Sequence, residues 1–189
     1  MSNRTRNITL AAVLAALSIV LKVLSLQFES FRILNFSPIT LLMAGYFLGL
    51  KQGILIAFLT DTVYALFLPA NQTALSQAEG FLEIAVVIAT NFWNLFTVST
   101  ILWGAGGFFI KKIGFKHQLF AIMIVAAVIA LTETSINTIQ MIIWKMPTAI
   151  PGLPLRIFNQ LYRIPLIIIA TNEIMGRLEN KELKEFLSL

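Results

Sequence analysis

Long apolar runs alternate with short polar interruptions along this chain, and the runs are too long for strands and too continuous for amphipathic surface helices. A membrane-crossing helix needs about 20 mostly apolar residues, fewer inside a bundle. Ile8 to Leu26 is the first such run. Its length, and the lack of a small-residue cleavage site, predict a retained helix rather than a signal peptide. Phe36 to Leu68 is a double run split at GLKQG (Gly49 to Gly53), which predicts two short helices, 37–50 and 53–68, joined by a tight turn. Ser37 followed by Pro38 predicts the first of these starts, the serine as side-chain cap and the proline where its missing N–H costs nothing.

PANQTALSQAEG (Pro69 to Gly80) reads as a polar connection. One helix of about 30 residues, 81–110, follows it. Then come the basic loop KKIGFKH (Lys111 to His117), a helix over 118–144, the proline-rich turn KMPTAIPGLP (Lys145 to Pro154), a helix over 155–177 and a charged tail. No repeat or linker divides the chain. The pattern predicts one membrane domain, 1–189, an all-α integral membrane protein built as a six-transmembrane-helix bundle.

Composition agrees. Of 189 residues, 58% are hydrophobic and 12% charged, about half the charge of a soluble domain. With no cysteine and a single histidine, His117, thiolate and His-cluster metal sites are excluded. The net charge of +5 sits in short groups between apolar runs, as topology signals do, which argues against nucleic acid as a partner. With the N-terminus cytoplasmic, one side receives Arg4, Arg6, Lys51, Lys111, Lys112, Lys116, Arg177, Lys181 and Lys184, and the other Arg32, Lys145 and Arg156. That bias predicts both termini on the cytoplasmic face of a cell membrane.

Ionisable groups inside apolar helices face a cavity or a partner. Lys22, Asp61, Glu83, Glu133, Arg163 and Glu173 are the candidates. Arg156, Asn159, Gln160 and Arg163 are spaced i, i+3, i+4 and i+7, so they share one helix face, above Pro165, which removes a backbone bond. This cationic stripe suits a pocket open to the outside. The alternative has Arg156 reaching the headgroups and Arg163 paired with Asp61 or Glu133. Asn91 and Asn94 near Trp93 and Phe96, and Asn137 and Gln140 below Trp144, suit a planar heterocycle, which wants stacking faces and hydrogen-bonding edges. They also suit helix-to-helix ties. Asp61 reads as a strut rather than a pocket wall. Ala11/Ala15 and Ala12/Ala16 form two small-xxx-small pairs, which let a helix pack closely inside the bundle or against another protein.

These residues together resemble the S-components of energy-coupling factor transporters, the small membrane subunits that capture vitamins. FRILNFSPITLLMAGYFLGLKQG, FLTDTVYALFLP and NTIQMIIW with LPLRIFNQLYRIPL are similar to the folate-type branch, while SQAEGFLEIAV departs from it. The resemblance covers nearly the whole chain. It implies a water-soluble vitamin as ligand, folate first, with pyridoxine, hydroxymethylpyrimidine and pantothenate open. It also implies a transmembrane coupling subunit that docks on Ala11, Ala12, Ala15 and Ala16, and two ATPase subunits that use ATP and magnesium. No cofactor of its own is expected, since no G-x-x-x-x-G-K-[ST] occurs. The loop Gln27 to Phe36 would cap the ligand, with Arg32 and Phe36 beside it. The rival readings are an intramembrane enzyme, which lacks H-E-x-x-H and a histidine within a helix, a self-sufficient carrier, and a structural subunit without ligand.

Overall fold

The computed structural model describes residues 3–27, 35–113 and 118–178. It is all-helical, with no strand among the described residues. The elements are α1 (Asn3–Gln27), α2 (Ser37–Leu48), α3 (Leu50–Leu66), α4 (Pro69–Gln77), α5 (Phe81–Val87), a π-helical turn (Ile88–Phe92), α6 (Leu95–Ile113), α7 (Gln118–Ile143) and α8 (Leu153–Leu178).

Among the described residues three helices, α1, α7 and α8, are long and apolar enough to cross a membrane. Two bent pairs, α3 with α4 at 71° and α5 through the π turn with α6 at 56°, raise the number to as many as five. The sixth expected span, α2, has 12 residues. At 1.5 Å per residue it reaches about 18 Å, short of the roughly 30 Å hydrocarbon layer.

α2 is instead the centre of the bundle. Its residues from Ser37 to Tyr46 are all buried, and it packs against α1, α3, α6 and α8. A helix apolar all round belongs inside. Its start differs from expectation. Ser37 does not cap; the Asn35 side-chain oxygen accepts both the Ser37 backbone N–H (3.0 Å) and the Ser37 hydroxyl (2.8 Å).

Glycines set the depth of packing. A Cβ on Gly45 or Gly53 would strike the Gly104 carbonyl oxygen, one on Gly104 the Gly53 carbonyl oxygen, and one on Gly107 that of Leu42. α2, α3 and α6 therefore cross with their backbones in contact, the packing that small residues permit where lipid supplies no hydrophobic drive between helices.

Three loop expectations change. The α2–α3 turn is the single residue Gly49, at φ +87°, while Lys51, Gln52 and Gly53 already belong to α3. The polar connection is largely helix: Pro69 opens α4, and the amides of Asn71 and Gln72 donate to the Ala65 and Leu66 carbonyls at the end of α3 (2.9 and 3.0 Å). The single helix over 81–110 is broken at Trp93–Asn94, after the π turn. α8 runs unbroken through Pro165.

Candidate functional site

The polar stripe on α8 lies against α7 in an antiparallel seam. Arg163 donates through Nη1 and Nη2 to the Glu133 carboxylate (3.2–3.4 Å). Gln160 Nε2 donates to Thr134 Oγ1 at 3.2 Å, and Arg156 Nη1 to Thr138 Oγ1 at 3.1 Å. These rungs place Asn137 at the level of Asn159, on the α7 face that meets α8. Trp103 of α6 closes the inner end: its Nε1 donates to Glu133 at 2.9 Å, and the Arg163 guanidinium lies over its ring at 5.7 Å. Of the two partners expected for Arg163, Glu133 is the one it takes.

The seam leaves polar atoms unsatisfied. Asn137 Oδ1, Gln160 Oε1 and Arg163 Nε are shut off from solvent and have no hydrogen-bond partner among the described residues. Each such group costs about 1–3 kcal/mol. Asn159 is half-buried and makes no hydrogen bond among the described residues either. The three orphaned atoms differ in kind: two amide oxygens that accept and one guanidinium N–H that donates.

Arg156 does other work. Its Nη2 donates to the carbonyls of Thr148 (3.0 Å) and Ala149, and its Nε to Gly152 at 3.4 Å, while Nη1 also approaches the Met141 sulfur at 3.1 Å. One guanidinium thus clasps the 144–152 turn to the α7–α8 seam. All three of its nitrogens are engaged in hydrogen bonds with the turn and α7.

The amide of Asn94, just past the π turn, also faces the backbone. Asn94 Oδ1 accepts the Phe96 N–H (2.8 Å) and its Nδ2 donates to the Asn91 carbonyl (2.9 Å). Gln140, buried on α7, accepts the Leu95 N–H at 3.2 Å. Together with Thr97, whose hydroxyl donates to the Phe92 carbonyl at 2.9 Å, they satisfy the free ends made by the break. Helix ends inside a membrane require such partners. Asn91 Oδ1 accepts only the neighbouring Thr90 hydroxyl at 3.2 Å. Asn94 and Gln140 are thus held by the break, which Asn91 joins through its backbone carbonyl. Trp93 packs on Phe58 (5.6 Å) and Trp144 on Phe96 (5.4 Å).

A second ionic group lies deeper in the bundle. Lys22 of α1 pairs with Asp61 of α3, donates to Thr100 Oγ1 of α6 at 2.8 Å, and sits 4.9 Å from the centre of the Tyr64 ring. Thr100 also donates to Asp61 at 3.2 Å. Asp61 is a strut, as expected. Thr100 and Trp103, three residues apart on α6, connect the two ionic groups. Neither stood out in the sequence, because a threonine and a tryptophan in an apolar helix look like ordinary filling.

Of the remaining candidates, Phe36 is half-buried against the core, and Arg32 lies outside the described residues. Ala11 and Ala15 pack on the core cluster, whereas Ala12 and Ala16 are exposed. The two pairs face different ways. An open, mostly apolar groove of about 430 Å³ between α4 and α5, lined by Ala74, Leu82 and Val86 among others, lies apart from every residue of the seam. Comparison with protein-family profiles, with characterised proteins and with solved structures returns no match.

Proposed function

We propose that this chain is the substrate-capture membrane subunit of an energy-coupling factor importer, binding a water-soluble vitamin and passing it inward with a coupling subunit and two ATPases. The observation that carries the reading is the α7–α8 seam, where charged and amide side chains gather and the buried Asn137 Oδ1, Gln160 Oε1 and Arg163 Nε stay unpartnered. Polar groups at membrane depth are costly and are kept where a solute or a partner needs them.

In this reading α2 serves as a short sixth span inside the bundle, and the seam opens away from the cytoplasm. Support for the orientation comes from the basic end: Lys111 sits 6.0 Å from the Tyr46 ring, so the end of α6 lies beside the end of α2 and near Lys51. Folate, pyridoxine, hydroxymethylpyrimidine and pantothenate are the candidate vitamins, and the exposed Ala12/Ala16 face of α1 is the docking surface for the coupling subunit.

The test is ligand titration of the purified chain in detergent, followed by the fluorescence of Trp93, Trp103 and Trp144 and checked by calorimetry. One vitamin bound at about nanomolar strength, some −12 kcal/mol, without partner subunits establishes the capture role. Folded protein that binds none of the panel overturns it.

A further inference from the structure

We propose that α4 and α5 form a lipid-binding interfacial element at the end of the bundle away from Lys51, Lys111 and Lys112. α5 lies in the headgroup boundary of that leaflet, and α4 covers it on the water side. This placement depends only on the chain's crossing a membrane, not on what it carries.

α6 alone has 19 residues and α3 has 17, so at 1.5 Å per residue they reach about 29 and about 26 Å. Each comes close to crossing the roughly 30 Å hydrocarbon layer by itself. α4 and α5 are surplus to that crossing, and both turn away from it: α4 leaves α3 at 71°, and α5 with the π turn meets α6 at 56°. Spanning helices tilt by about 20° on average, so α4 runs close to the membrane plane and α5 slopes along it. Both sit at one end. Trp93 packs on Phe58 and donates through Nε1 to Thr62 Oγ1 at 3.3 Å, which puts the break beside the last turns of α3. Trp144 packs on Phe96, just past the break. Trp93 and Trp144 are both exposed, and tryptophans collect at the level of the headgroups.

Side-chain chemistry divides the two helices in the same sense. No residue of α5 is buried, and Phe81, Leu82 and Val86 are 83%, 78% and 60% exposed. Facing water, they would make an unusually apolar patch. The one charged side chain of α5, Glu83, accepts the Glu79 backbone N–H at 2.6 Å and so turns to the start of its own helix. α4 has the opposite character: Gln72, Thr73, Ser76 and Gln77 are all exposed. The groove between the helices extends the apolar face, because Leu82 and Val86 line both. An apolar helix beneath a polar one matches the headgroup boundary, where apolar side chains sink about 5–10 Å.

The chain has no cysteine, so single cysteines report position cleanly. Phe81→Cys, Val86→Cys and Ser76→Cys are each made in the full chain, labelled with a fluorophore and reconstituted in phosphatidylcholine vesicles. Val128→Cys, exposed near the middle of α7, is the deep reference. Quenching is measured with aqueous iodide and with nitroxides carried at the headgroup, near the top of the acyl chain, or near its end. Leu82→Cys, equally exposed, replaces any α5 variant that lowers the unfolding midpoint.

Labels at 81 and 86 should be quenched by iodide roughly fivefold less than the label at 76, and most strongly by the nitroxide near the top of the chain. The label at 128 should respond most to the nitroxide near the chain end. Labels at 81 and 86 as deep as 128 overturn the proposal and make α5 part of one span with α6. Labels as open to iodide as 76 overturn it by placing α5 in water. Shielding from both iodide and nitroxides overturns it as well, because protein, a second copy or another part of this chain, then covers the face.

Discussion

Lys22 and Asp61 form an ion pair inside the bundle, with side chains only 9% and 8% exposed. Leu14, Ser18 and Lys22 repeat every four residues and are the buried positions among the described side chains of α1, so one stripe attaches this helix: Ser18 bonds Thr40 of α2 at 2.6 Å, and Lys22 reaches α3 and α6. Removing one partner of a buried pair strands a charge and costs about 3–5 kcal/mol, whereas replacing both with apolar groups is often close to neutral. Lys22→Met and Asp61→Leu are therefore each expected to lower the unfolding midpoint strongly, and the double variant to recover most of the loss. Unfolding of the four proteins in one detergent checks this. Additive losses would show that the two groups act independently.

The glycine crossing makes a sharper prediction about backbone contact. Gly104→Ala places a methyl against the Gly53 carbonyl oxygen and 2.8 Å from the Ala57 Cβ. Two helix backbones must move apart, and overpacking of this kind costs about 1–3 kcal/mol. Gly176→Ala near the end of α8 meets nothing within 4 Å and gains up to about 1 kcal/mol of helix propensity. Thermal stability of the pair should shift in opposite directions.

Arg156 is predicted to act through the turn that it holds. Lysine keeps the charge but lacks the planar fork that reaches several carbonyls at once. Arg156→Lys is expected to lose about 1.5 kcal/mol, the low end for a hydrogen bond to a charged group, and so to speed tryptic cleavage after Lys145 roughly tenfold. Lys145 is exposed in the turn, with φ at +54°. Limited proteolysis reads the effect directly, and an unchanged rate would mean that the clasp carries no stability.

Much of the helical pattern is legible in the sequence, because run length and charge spacing are enough to locate α1, α7 and α8. The break before α6 is not. IATNFWN contains neither proline nor glycine, and the chain parts there because Asn94, Thr97 and Gln140 supply side-chain partners that let the backbone leave the helix. The same difficulty blurs the site. An amide that caps a helix and an amide left without a partner are identical in sequence, and only the atoms they meet separate Gln140 from Asn137. Helix α4 was hidden for a related reason. Its polar residues look like loop, yet Pro69 suits a first helical position and Asn71 turns inward to bond α3.

The two alanine pairs of α1 lead to the last prediction. Ala11/Ala15 and Ala12/Ala16 are equivalent by spacing, but only the second pair is exposed, beside exposed Val13 and Leu17. Ala15 packs on the core cluster. A tryptophan at position 15 has no room without displacing α1, and an overpacked site loses about 1–3 kcal/mol. A tryptophan at position 12 projects from the free face and leaves the fold intact. Under the proposed capture role, Ala12→Trp is expected to keep the wild-type unfolding midpoint and vitamin affinity while abolishing co-purification with the proposed coupling subunit. Ala15→Trp should lower the midpoint. If Ala12→Trp retains the partner while Ala15→Trp, still folded, loses it, the docking surface runs along the other side of α1 and the exposed pair is only a lipid-facing surface.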